Sequence, residues 1–309
     1  MDFTDNMDDD NMEYVPLLPL HKNELHTALE NGRYIEAQEL IRSETEDFLV
    51  ECFENYEGYS PPSYKSSLHL IAAIKDEEQA ARLCRELLSK VKDVENREHL
   101  LNATVVEQFR IVRPRVAAIH IAAYNGNAGV VRLLRQEYGV DVNCNTSETI
   151  REEPQKGITP IHWASVHGRT EVVKLLLDMK ADVNVRDTDG FTPLYIAAQN
   201  GHTEVVKLLL DHKADVNASR HTDGATPLYI AAWNGHTEVV KLLLDHKADL
   251  NASRHTDGST PLYIAATNGH TEVVKLLINK DADADTKRQV CEAARQNRNL
   301  DIIKFVASL

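Results

Sequence analysis

The sequence predicts an all-α solenoid of about seven helix-turn-helix repeats and a C-terminal cap, with β-turn or hairpin finger loops between them. Units starting at Asp187, His221 and His255 follow one another without a gap, 34 residues apart. The first two differ at only four positions: Asp187/His221, Phe191/Ala225, Gln199/Trp233 and Val216/Leu250. Inside each unit the apolar residues fall on two short helical faces, so a unit can bury them only against its neighbours.

Taken in order, the chain opens with an acidic stretch, residues 1–13, holding six carboxylates and no Lys or Arg. Such a segment repels itself, so residues 1–20 read as a disordered tail. Its last part, Tyr14 to Leu20, is apolar but broken by two prolines and reads as extended. It suits either packing over the first repeat or display as a short linear motif. Residues 21–309 form a single repeat domain, divided into divergent repeats (21–115), regular repeats (116–286) and the cap (287–309).

Helix-pair patterns restart at His26, His69, His120 and His162 and then at Tyr195, Tyr229 and Tyr263. The early steps are 43, 51 and 42 residues long and the later ones 33, 34 and 34. Surplus length therefore sits in the loops Ser43–Ser66, Lys92–Arg115 and Asn145–Lys156, where insertion costs little. Within the second, Thr104 to Val112 is β-prone and reads as an extended hairpin, with a short helix at Arg97 to Leu101 as the competing reading.

The unit at Asp187 shows how one repeat is written. Asp189-Gly190 is a turn dipeptide, Thr192 an N-cap, and Pro193 suits the first helical position. The first helix stops at Asn200-Gly201, and Thr203 is expected to cap a second helix carrying Val205, Val206, Leu208, Leu209 and Leu210. Residues 290–309, with Ala293, Ala294, Ile302, Ile303 and Phe305, repeat this weakly and read as the closing cap.

The pattern DGxTPLYxAAxxGHTEVVKLLLxxxADVN resembles the ankyrin repeat over nearly its whole length. The resemblance is close for Gly157 to Asp285, fair for Val116 to Asn143 and weak before that. It implies binding of another protein through a concave face lined by first-helix ends and finger loops. It also implies that the Asn of the ADVN-like motif, here Asn184, Asn217 and Asn251, could be hydroxylated, although a loop hydrogen bond is the plainer role. The chain departs from the family where Tyr195, Tyr229 and Tyr263 replace a His that normally ties neighbouring turns together. A phenol there could still donate one bond while filling more volume. The loop Ala218–Gly224 is one residue longer than Val185–Gly190 as well.

Composition narrows the function. A charge of −14 argues against nucleic acid or an anionic membrane as a general partner. Cys52, Cys84, Cys144 and Cys291 lie far apart without metal-binding spacing and read as a reduced, cytoplasmic set. The start lacks the basic-apolar pattern of a secretory signal, and no run is long enough to span a membrane. No phosphate loop, nucleophile elbow or zinc motif is present, so neither catalytic residues nor a cofactor or metal is expected. His202, His236 and His270 recur once per repeat, and helices stacked about 8–10 Å apart cannot share a metal through one such His each. They read as turn residues.

Positions that vary between otherwise matching units point to the partner-binding surface. After the first-helix His or Tyr stand Tyr124, Val166, Gln199, Trp233 and Thr267, followed by Asn125, His167, Asn200, Asn234 and Asn268. The turn positions Ile158, Phe191, Ala225 and Ser259 vary in the same way, and Arg220, His221, Arg254 and His255 form a basic cluster on adjacent fingers. The expected function is a monomeric, non-enzymatic scaffold for a partner protein. The nearly identical units fit recent duplication, a habit of ankyrin proteins of intracellular bacteria, which would place the partner in a host cytoplasm. The alternative is the regulatory part of an enzyme, with chemistry in the first 115 residues.

Overall fold

The computed structural model describes residues 24–43, 67–92, 97, 101, 104–106, 115–146, 157–278 and 283–309. The expectations for residues 1–20 and for most of the long loops fall outside them.

Sixteen described helices form eight pairs. These are α1 (Glu24–Glu30) with α2 (Tyr34–Ser43), α3 (Ser67–Ala72) with α4 (Glu77–Lys90), α5 (Ala118–Asn125) with α6 (Ala128–Gln136), and α7 (Pro160–Val166) with α8 (Thr170–Asp178). There follow α9 (Pro193–Asn200) with α10 (Thr203–Asp211), α11 (Pro227–Asn234) with α12 (Thr237–Asp245), α13 (Pro261–Thr267) with α14 (Thr271–Leu277), and α15 (Ala284–Gln296) with α16 (Leu300–Ala307). Every first helix packs on the first helix before it, and every second helix on its predecessor, giving two continuous layers. The seven repeats and the cap read from the sequence are these eight pairs.

One apolar core runs the length of the stack. The Ala pairs at 122–123, 197–198, 231–232 and 265–266 are buried and let the layers approach. Val172, Val205, Val239 and Val273 recur as buried positions of the second helices. Each such side chain contributes about 1.5–3 kcal/mol on burial, and no single repeat buries its own.

Local chemistry explains the helix limits. Thr192, Thr226 and Thr260 accept from the amides of Tyr195, Tyr229 and Tyr263, each at 3.2 Å, and a Pro follows at the first helical position. In α5 the N-cap is Ala117, which offers no side-chain bond. Thr203 is not the cap expected for the second helix. It is the first helical residue, and the N-cap is His202, whose ring is used elsewhere.

Between the second and third repeats, parts of both competing readings fall among the described residues. Arg97 and Leu101 are helical, and Thr104–Val106 pairs antiparallel with Arg115–Ala117. The strand predicted at the start of Thr104–Val112 is therefore present, with its described partner just before α5. The Arg97 guanidinium donates to the Val91 carbonyl at 2.9 and 2.7 Å, tying this region to the end of α4.

A candidate partner-binding face

The turns between paired helices are linked along the stack by side chains. Nε2 of His202, His236 and His270 donates to the backbone oxygens of Val166, Gln199 and Trp233 at 2.9, 3.0 and 2.9 Å. A carbonyl only accepts, so these rings carry the proton on Nε2. Arg169 performs the same task on Tyr124 O at 2.9 Å, Asn127 on Ile74 O at 2.6 Å, and Asn297 in the cap on Thr267 O at 2.6 Å. Close approach makes room for each ring: a Cβ at Gly235, where φ is 76°, would stand 2.5 Å from Nδ1 of His270. The recurrent His residues are thus turn residues, as their spacing predicts, and each binds the repeat before its own.

The acceptors in this ladder include Tyr124, Val166, Gln199, Trp233 and Thr267, the positions that vary between repeats. A main-chain oxygen serves equally well whatever side chain it belongs to, so the ladder itself does not dictate those side chains. Tyr124 and Trp233 are exposed, at 41% and 38%, and Gln199 is exposed too. The following asparagines are more committed. Asn234 donates to Gln199 O at 2.9 Å and Asn268 to Trp233 O at 2.8 Å, whereas Asn125 and Asn200 turn back onto Ile121 O and Ile196 O of their own helices, both at 2.9 Å.

Three aromatic groupings lie along this side. Tyr124 packs against His167 with ring centroids 4.0 Å apart and meets Trp163 edge-on at 5.5 Å. Phe191 lies against Tyr195 and beneath the Arg220 guanidinium at 5.2 Å. Trp233 and Tyr229 both lie under Arg254, 5.7 Å from each ring. Trp233 at the end of one first helix and Arg254 on the following finger loop are thus in contact. Burial first, then the neighbouring Arg169 and His202, lower the pKa of His167 below its ordinary value. Thr267 is half-buried and donates to Tyr263 O of its own helix at 3.0 Å.

Sequence reasoning missed Trp163. Its slot holds Ile196, Ile230 and Ile264 in later units, within the apolar pattern of the first helix. The available signal was an aromatic in an aliphatic slot, one unit after the exposed Tyr124.

The basic cluster is partly neutralised within each finger. Arg220 pairs with the buried Asp223 and Arg254 with Asp257 at 2.6 Å. The Arg220 contact holds the Asp223 carboxyl below its ordinary value. Asp257 is lowered to about 2, first by the Ser259 hydroxyl, then by the Ser259 amide and Arg254. His221 and His255 donate their amides to Asp189 O at 3.1 Å and Asp223 O at 2.7 Å, and their rings lie against Gly190 and Gly224 of the preceding finger.

Family models described as ankyrin repeats match residues 70–187, 119–220 and 180–254, and a further one matches residues 235–278. The chain belongs to the ankyrin-repeat family. It is 38% identical over 84 residues to E3 ubiquitin-protein ligase XBAT32 of Arabidopsis thaliana, covering 21% of this chain and 16% of that protein. It is 28% identical over 98 residues to palmitoyltransferase AKR1 of Eremothecium gossypii, covering 32% of this chain and 13% of that protein. The matched stretches are thus a small part of either relative.

The departures from the ankyrin pattern are linked. In the TPLH-like repeat, His162 accepts from Thr159 N at 3.1 Å and donates to Phe191 O at 3.1 Å. Where Tyr229 stands instead, the Ser259 hydroxyl donates to Asp257 at 2.7 Å, so the phenol 3.0 Å away donates to Ser259. The larger ring and the longer finger occur together, with Arg254 closing over both. The ankyrin-type asparagines also bridge repeats: Asn184 Oδ1 accepts from Asp215 N at 2.8 Å and Asn217 Oδ1 from Asp249 N at 2.9 Å. Among the described residues no helix is long and apolar enough to cross a membrane.

Proposed function

We propose that the protein is a non-enzymatic scaffold that binds a partner protein through its first-helix ends and finger loops. The observation that carries this reading is the division of labour at the variable positions. Their backbone oxygens hold the stack together, while exposed side chains such as Tyr124 and Trp233 are left to differ. Aromatic and Arg side chains on a rigid surface are the residue types that dominate binding energy. Rigidity reduces the ordering lost on association.

Tyr124, Asn125, His167, Phe191, Gln199, Trp233, Asn234 and Thr267, with Arg220, His221, Arg254 and His255, form the proposed contact set. The protein works as a monomer in cytoplasm, and in a host cytoplasm if its duplicated units mark a delivered bacterial chain. Capture from cytosol with wild type and a Tyr124→Ala/Trp233→Ala variant tests this. Selective loss of one captured protein supports it, and an identical capture profile overturns it.

A second reading makes the chain the targeting or regulatory part of an enzyme, and the names of both relatives favour it. It differs in requiring that capture bring down substrates modified in a manner dependent on residues 1–115.

A further inference from the structure

Between the fingers at residues 217–226 and 249–255 lies a crevice of about 330 Å³, lined among others by Asn217, Ser219, Gly224, Asp249, Ser253 and His255. One repeat earlier the corresponding space is crossed by a side chain of the protein itself. There Arg186 sends its guanidinium to the carbonyl of Ser219 at 2.7 Å and, more weakly, to that of Gly190 at 3.5 Å.

The one-residue difference in finger length explains why the two spaces differ. Counted from the bridging asparagines, Arg186 is the second residue after Asn184, and the second after Asn217 is Ser219. In the longer finger the arginine has moved one place on, to Arg220, which turns over Phe191 and pairs with Asp223. The counterparts of the two carbonyls that receive Arg186 belong to Ser253 and Gly224, and both residues line the crevice. Asp249 also lines the crevice, and His255, the counterpart of the His221 that lies against Gly190, completes it.

We infer that this crevice is a subsite for an arginine side chain of the partner protein, seated as Arg186 is seated in the finger before it. The inference rests on the scaffold reading and deepens it. A guanidinium fits because one terminal nitrogen of Arg186 already serves both carbonyls in this seat, and a guanidinium is more weakly hydrated than a lysine ammonium, so it gives up less water on entering. Asp249 supplies charge complementarity, and its carboxylate also accepts from Asn251 N at 2.9 Å, which fixes its orientation.

The test is a titration of the isotope-labelled full chain with N-acetyl-arginine methylamide, the lysine analogue and sodium chloride at matched ionic strength. Saturable shifts of the Ser219, Gly224, Ser253 and His255 amides, about tenfold weaker with lysine, are expected. Ser219→Arg restores the arrangement of the earlier finger, so it should fill the crevice from within and abolish those shifts with melting unchanged. Asp249→Asn should weaken them. Shifts equal to those caused by salt, or retained in Ser219→Arg, overturn the inference. Partner capture separates the two levels: capture unaffected by Ser219→Arg but lost in Trp233→Ala sinks the crevice and keeps the scaffold, while arginine binding without any captured protein does the reverse.

Discussion

Nε2 of His270 lies 2.9 Å from the backbone oxygen of Trp233, so this exposed residue is held to the next repeat by its main chain and not by its ring. Asn268 adds a second donor to the same oxygen at 2.8 Å. On the proposed function, stability and recognition fall to different atoms of one residue.

Trp233→Ala should leave the melting temperature within a few degrees, because the carbonyl remains. Partner affinity should fall by about 2 kcal/mol, roughly thirtyfold, as for a central aromatic anchor. His270→Ala should do the opposite, lowering stability by about 1–2 kcal/mol through loss of its bond to the preceding turn. Thermal melting and a binding titration on the two variants check the division, which fails if both change the same property.

Ala117→Thr should stabilise the protein by about 1 kcal/mol. Other repeats carry a capping Thr at this place, and in α7 Thr159 also serves Nδ1 of His162. Nδ1 of His120 is buried without a hydrogen-bond partner in the repeat that lacks the Thr. Urea denaturation reads the gain, and no change in midpoint would show that the new hydroxyl fails to reach.

Acid should weaken the fold before carboxylates titrate. Burial lowers the pKa of both His120 and His162 to about 4 from an ordinary 6.5. The unfolded chain takes up protons in that window and the folded chain does not, so stability is full above pH 6.5 and falls as pH drops towards 4. Each ring contributes about 1–3 kcal/mol to the loss. Melting temperature against pH should slope less in His162→Gln, and an unchanged slope would remove that His from the account.

Lys213→Gly and Lys247→Gly should each stabilise by about 0.5–1 kcal/mol. Both lysines, like Lys180, hold φ near 68° or 66°, a left-handed conformation that is unfavourable for a residue with a Cβ. The greater freedom of Gly in the unfolded chain offsets part of the gain. The sites lie in different repeats, so the double variant should be additive within a few tenths of a kcal/mol in chemical denaturation.

The repeat period made the helix pairs, their Thr-Pro starts and their Gly stops legible, because each is encoded by a side-chain type at a fixed place. The ladder of turn bonds was half legible. Its donors, such as His202 and His236, recur visibly, but its acceptors are main-chain oxygens that leave no mark in the sequence. Thr203 looked like a cap because Thr caps well, yet the backbone places His202 there. The finger crevice was hidden for another reason: it follows from where Arg186 and Arg220 send their side chains after a one-residue shift, and a loop length alone does not reveal direction.

The ladder gives the stack a polarity. Donor side chains always come from the later repeat and accepting oxygens from the earlier one, from Asn127 reaching Ile74 to Asn297 reaching Thr267. At these turns, cutting repeats away from the C-terminal side leaves carbonyls that water can satisfy in place. Removal from the N-terminal side strands His or Arg side chains at the turns, whereas His162 and Arg186 donate forward at the fingers, so shortening the array from either end leaves donors unpaired in a different layer.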